Sequence, residues 1–104
     1  MSAVIGIDVG GSTTKIVGYT DGGKLISVLK VEAADPLTSA YGALGKFINE
    51  NNLTLPEVKQ IILTGVGSSL FKKEVYGIPT SKVDEFEAIG LGGLALSGKK
   101  EPET

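Results

Sequence analysis

Short apolar runs punctuated by glycine fill the first third of the chain, and a helical period follows. Residues 3–9, AVIGIDV, and 13–20, TTKIVGYT, are rich in apolar, β-branched and aromatic types, which suits strands. TDGGK at 20–24 is a turn signal, and LISVLKV at 25–31 reads as a third strand. Three consecutive strands with tight glycine turns predict an antiparallel meander. The spacing then lengthens. Asp35 before Pro36 has the form of an N-cap with proline at the first helical position. Leu37, Ala40, Tyr41, Leu44, Phe47 and Ile48 then recur every three or four residues, which predicts an amphipathic helix ending near Asn51 and Asn52.

The remainder alternates again. VKQIILTG at 58–65 predicts a short buried strand bounded by Gly65. GVGSSLF follows as a second glycine-rich turn, with Ser68 or Ser69 placed to cap a short helix through residue 75. YGIPTSKV reads as a loop with a short extended piece. DEFEAIGLGGLALS, residues 84–97, is apolar or small on nearly every side and predicts an interior helix. Gly90, Gly92 and Gly93 would each cost that helix about 1 kcal/mol of propensity. The order β-β-β-α-β-α-(β)-α implies an α/β domain over residues 1–98, a mixed sheet covered by helices, with a polar tail at 99–104.

Composition narrows the function classes. A chain of 104 residues, 41% hydrophobic and 21% charged, suits one soluble domain with a modest core. The net charge is −2, and the ten basic residues are scattered lysines with no basic stripe, so nucleic acid is not an expected partner. There is no cysteine and no histidine, which removes disulfides, thiolate and imidazole metal sites and Ser-His triads. With no arginine either, an anion must be held by backbone amides, hydroxyls and lysine. The first ten residues lack a basic leader, and no apolar run approaches ~18 residues. A cytoplasmic location without membrane contact is therefore expected.

The chemistry concentrates in IGIDVGGSTTKIVGY, residues 5–19. Lys15 does not follow a glycine, so the P-loop pattern fails, and the glycines lead into a strand, so the dinucleotide fingerprint fails too. What remains is a β-turn-β tip. It is either an ordinary Gly-Gly hairpin or a cradle for phosphate. In the second case Gly10 and Gly11 let amides approach an anion, Ser12, Thr13 and Thr14 add hydroxyls, and Lys15 adds a point charge. Asp8, at the end of an apolar strand, can hold Mg²⁺ directly or through water; otherwise it is a turn residue bonding nearby amides. LTGVGSS at 63–69 is a second strand-end loop, where ligands of open α/β sheets gather. The acids of VDEFE, residues 83–87, either stabilise a helix N-terminus or supply a general base, a role open to Asp84, Glu85 and Glu87 alike.

GIDVGGSTTKIV resembles the first phosphate motif of the actin–hexokinase superfamily. Together with ILTGVGSS and IPTSKVDEFEAIGLGGLALSG, it makes residues 3–98 similar to the N-terminal half of a type II pantothenate kinase. The VDEFEAIGLGG stretch carries the narrower likeness. The resemblance implies a ribonuclease H-like (actin-like ATPase) half: a three-stranded antiparallel meander extended by parallel strands, with helices packed on the sheet. It implies ATP and Mg²⁺ as cofactors, pantothenate as the phosphoryl acceptor, and a homodimer or association with a second half. By motif, Asp8 would serve Mg²⁺, and Gly10, Gly11, Ser12, Thr13 and Lys15 would line the ATP phosphates. Glu85 would be the catalytic base, and Thr64 and Gly65 would sit near the cleft. The family's second phosphate motif and adenosine segment do not occur in these 104 residues, so the chain alone is expected to be inactive or nearly so. Two rivals stand beside this reading: a non-catalytic phosphate-binding or dimerisation module, and a kinase of the same superfamily acting on a sugar or other small alcohol.

Overall fold

The computed structural model describes residues 2–32, 34–89 and 93–100, and from residue 84 onward it describes the backbone alone. The predicted meander is present. β1 (Ala3–Val9) pairs antiparallel with β2 (Thr13–Thr20), and β2 pairs antiparallel with β3 (Leu25–Glu32). Helix α1 (Pro36–Glu50) carries the chain to β4 (Val58–Thr64), which lies parallel to β1. β5 (Glu74–Val75), β6 (Ile78–Ile89) and β7 (Gly93–Lys100) follow, with β6 parallel to β4 and flanked by antiparallel β5 and β7. The strand order β3-β2-β1-β4-β6 puts β1 and β4 at the centre of a mixed sheet.

Helix α1 forms for the reasons its sequence states. The Asp35 carboxylate accepts the amides of Leu37 at 3.0 Å and Thr38 at 3.1 Å, satisfying two donors of the first turn, and Pro36 follows where no donor is needed. The helix buries Ser39, Ala40, Ala43, Leu44 and Phe47. These meet Ala3, Ile5, Ile7 and Val9 of β1, Ile16 of β2, and Ile61 and Leu63 of β4 in one core. Gly18 on β2 makes room for the Phe47 ring. A Cβ there would stand 2.5 Å from Cζ and 2.7 Å from Cε2 of a fully buried side chain. The sheet face away from α1 is also partly closed: Gly6, Val17, Ile62 and Val83 are buried there. Among the described residues no helix is long and apolar enough to cross a membrane.

Two expected helices are absent. Residues 66–70 make only a 3₁₀ turn, after which Phe71 becomes extended and enters the core against Tyr41, with ring centroids 5.6 Å apart. The second difference is larger: residues 84–89 and 93–97 belong to β6 and β7. A run apolar on every side does not distinguish helix from buried strand by period. The glycine cost then weighs against the helix. Upstream, Thr80, Ser81 and Lys82 are already zipped into parallel register with Ile61, Ile62 and Leu63, so the strand continues.

Two measurements test this packing. Gly18→Ala drives a methyl into Phe47 and should destabilise the domain by about 1–3 kcal/mol, read as a lower urea midpoint. Hydrogen bonds to Thr38, hydroxyl first and amide second, hold the Asp35 carboxyl below its ordinary value, with Leu37 contributing. A lowered carboxyl pKa stabilises the fold above the unfolded value of ~3.9 and loses that effect as pH falls through the folded value. The midpoint gap between wild type and Asp35→Asn should therefore be largest near neutrality and shrink in acid. A gap that widens in acid would show the opposite sign.

Candidate functional site

The parallel pairing of β1 with β4 brings two glycine loops to one end of the sheet. In the ladder Asp8 stands beside Lys15 of β2 on one side and beside Thr64 of β4 on the other. Side chains alternate along a strand, and Ile7 and Leu63 face the α1 core, so Asp8, Lys15 and Thr64 share the opposite face. Thr64 is buried, Asp8 is partly exposed and Lys15 is exposed. Three of the expected residues thus form one row at the carboxyl ends of the parallel strands.

The tip between β1 and β2 is tight and open. The Gly10 amide donates to the Thr13 carbonyl at 2.9 Å, leaving Gly11 and Ser12 exposed at the apex. Neither Gly10 nor Gly11 is in the left-handed region, so this is not a hairpin that uses glycine for positive φ. Gly10 is required by crowding, because a Cβ would come within 2.7 Å of the Thr13 carbonyl oxygen. Gly11 is required by neither torsion nor crowding: a Cβ there would meet nothing within 4 Å. The space that a side chain there would enter is open, next in the chain to the exposed Ser12. Thr13, partly exposed, begins β2 and flanks this space.

The second loop is docked onto the base of the first. Gly65 has φ +97°, and a Cβ on it would collide with the Val9 carbonyl oxygen and fall 2.8 Å from Asp8 Oδ1. At Gly67 a Cβ would strike Val9 Cγ1 at 2.6 Å and Pro36 Cβ at 2.9 Å. The loop after β4 therefore lies flat against Asp8–Val9 and the first turn of α1. Ser68 does not cap a helix. Its hydroxyl donates to the Gly65 carbonyl at 2.8 Å and closes the turn that holds Gly65 in place.

Two contributors were not singled out in the sequence. Gly67 is one; its signal was the glycine two places beyond Gly65. Ser39, the partner of Thr14, is the other. Ser39 Oγ donates to Thr14 Oγ1 at 2.9 Å, both residues are buried, and the bond ties α1 to the start of β2 behind the tip. Thr14 therefore serves the core side, and the tip hydroxyls are those of Ser12 and Thr13. Glu85 does not open a helix. Its backbone lies in β6 opposite Ser97, and its side chain lies outside the described residues. Among the described residues no group of three or more acidic side chains could hold a metal, which leaves Asp8 as the single carboxylate of the row.

No protein-family model matches this chain, and no curated protein matches it in sequence. Solved structures do match in fold. The activator of the 2-hydroxyisocaproyl-CoA dehydratase from Clostridium difficile, solved with bound ADPNP, aligns with a TM-score of 0.65 at 17% identity over 79% of this chain. Component A of the (R)-2-hydroxyglutaryl-CoA dehydratase of Acidaminococcus fermentans aligns with a TM-score of 0.67 at 14% identity over 81%. A candidate N-acetylglucosamine kinase from Chromobacterium violaceum aligns with a TM-score of 0.59 at 18% identity over 81%. The chain spans 29%, 31% and 35% of those proteins. These are actin-like ATPase folds, and the expected ribonuclease H-like half is what the strand order builds.

The two glycines should respond oppositely to one methyl. Gly65→Ala meets both a left-handed torsion and the Val9 carbonyl, and should cost about 1–3 kcal/mol of stability. Gly11→Ala enters open space and should change stability by no more than ~0.5 kcal/mol. Chemical denaturation of both variants checks the contrast.

Proposed function

We propose that this chain is the phosphate-binding half of an ATP-dependent phosphotransferase of the actin-like ATPase fold. The observation that carries the reading is Gly11. Its missing side chain serves no internal need and keeps an apex of amides and the Ser12 hydroxyl open beside Asp8 and Gly65. Such an apex suits an anion held at close range by backbone donors. Gly10, Gly11, Ser12 and Thr13 would cradle the ATP phosphates, with Lys15 adding positive charge from the same face as Asp8. Asp8 offers the single carboxylate, beside phosphate oxygens and water, that Mg²⁺ commonly uses, and the bound ion would neutralise phosphate charge. Thr64 and Gly65 would form the floor.

The resemblance of VDEFEAIGLGG supports pantothenate as the acceptor and Glu85 as the base that takes the proton of its primary hydroxyl. Positioning and charge neutralisation would carry most of the rate. The chain spans about a third of the dehydratase activators and the kinase it resembles in fold, and in this reading a further half would supply the second wall of the nucleotide site. A second reading, a module acting by association alone, draws support from Val66 and Leu70 on the second loop. They are 83% and 56% exposed and would offer apolar contacts to a partner surface.

Titration with Mg-ATP, followed by calorimetry, should give saturable binding by the isolated chain. Gly11→Val should weaken it roughly tenfold, because the branched side chain holds the anion away from the apex amides, and the urea midpoint should change little. No saturable binding at millimolar nucleotide refutes the phosphate site. ADP release with pantothenate should stay near background for the chain alone; robust turnover would show that no second half is needed. A chain that remains monomeric by light scattering across a wide concentration range argues against the module reading.

A further inference from the structure

The row that holds Asp8 and Lys15 does not stop at β2. Lys30 of β3 stands directly opposite Lys15 in the antiparallel ladder, and both are exposed. Residues opposite one another in a ladder share a face, so the row reads Lys30, Lys15, Asp8, Thr64 across four adjacent strands. Like charges directly opposite in an antiparallel pair are unfavourable in the absence of a counter-charge. Two carboxylates are on the same face, Asp8 beside Lys15 and Glu32 two residues beyond Lys30. Among the described residues, neither forms an ion pair with either lysine. Two ammonium groups thus stand side by side at the strand ends that flank the tip, with no carboxylate among the described side chains paired to either.

We infer that Lys30 is a second cationic contact for the phosphate chain of the nucleotide, acting beside Lys15 on the same polyphosphate. This deepens the phosphate reading above and rests on it. Two adjacent ammonium groups match the several charged oxygens of a di- or triphosphate better than the single phosphate of a monophosphate. Strand spacing of about 4.8 Å keeps the two lysine stems close enough to share one ligand. The anion in turn relieves the repulsion between the lysines, so binding and the like-charge pair are coupled.

The test compares Lys30→Gln with Lys46→Gln, which removes the same charge from the exposed face of α1 on the other side of the sheet. Affinities for ATP, AMP and inorganic tripolyphosphate are measured by calorimetry at two salt concentrations. Lys30→Gln should weaken ATP and tripolyphosphate by about two- to fivefold, the range of an exposed ion contact, and flatten their salt dependence. AMP should be affected less. Lys30→Arg should restore the affinity, and Lys46→Gln should leave it unchanged. Wild-type binding of ATP with unchanged affinity in Lys30→Gln, or an equal loss in Lys46→Gln, overturns the inference while the phosphate site stands. Failure of the wild-type chain to bind any of the three ligands overturns the phosphate site and this contact together.

Discussion

The contact of Gly65 with the backbone of Asp8 and Val9 is the constraint on which the site depends. It demands a residue without a side chain, at a torsion that side chains disfavour, against a carbonyl oxygen and a carboxylate. Because of it, the loop after β4 lies on the end of β1 and does not arch away. The first and second glycine loops then meet at the same end of the sheet. Parallel pairing of β1 with β4 supplies the coarse alignment, and Gly65 supplies the last few ångströms.

The scaffold behind that contact is stiff for ordinary reasons. β1 is buried along its α1 side, and on the other face Gly6 is buried between partly exposed Val4 and Asp8. Phe47 locks α1 onto Gly18, and the Ser39–Thr14 hydrogen bond pins the helix to the base of the tip. Each of these removes a freedom that would blur the position of Asp8 or of the tip amides. The open element is the apex at Gly11 and Ser12, and it is flanked by rigid ones. A site preorganised in this way can spend binding energy on its ligand without ordering itself first.

Local signals in the sequence were sufficient where one residue type has one physical use. Asp35–Pro36 marked the helix start because a carboxylate there satisfies amides that proline does not add to. The antiparallel meander followed from tight glycine turns between strand-forming runs. The signals failed where composition was ambiguous. Residues 84–97 suit a buried helix and a buried strand alike, and the deciding influence was the register that β6 had already formed with β4. Ser68 and Ser69 suggested caps, yet Phe71 had a place in the core that no continuing helix would allow it to reach.

By itself the sequence determined the meander, helix α1, the central buried strands and the chemical inventory: hydroxyls, glycines, lysines and one carboxylate at a strand end, with no histidine, cysteine or arginine. These follow from period, capping and composition, which are local or additive properties. Only the tertiary structure decided that Thr64 stands beside Asp8, that Lys30 stands beside Lys15, and that Gly65 and Gly67 press onto Val9. Those relations join residues far apart in the chain through strand register and close backbone approach. Neither leaves a mark in the spacing of any single segment.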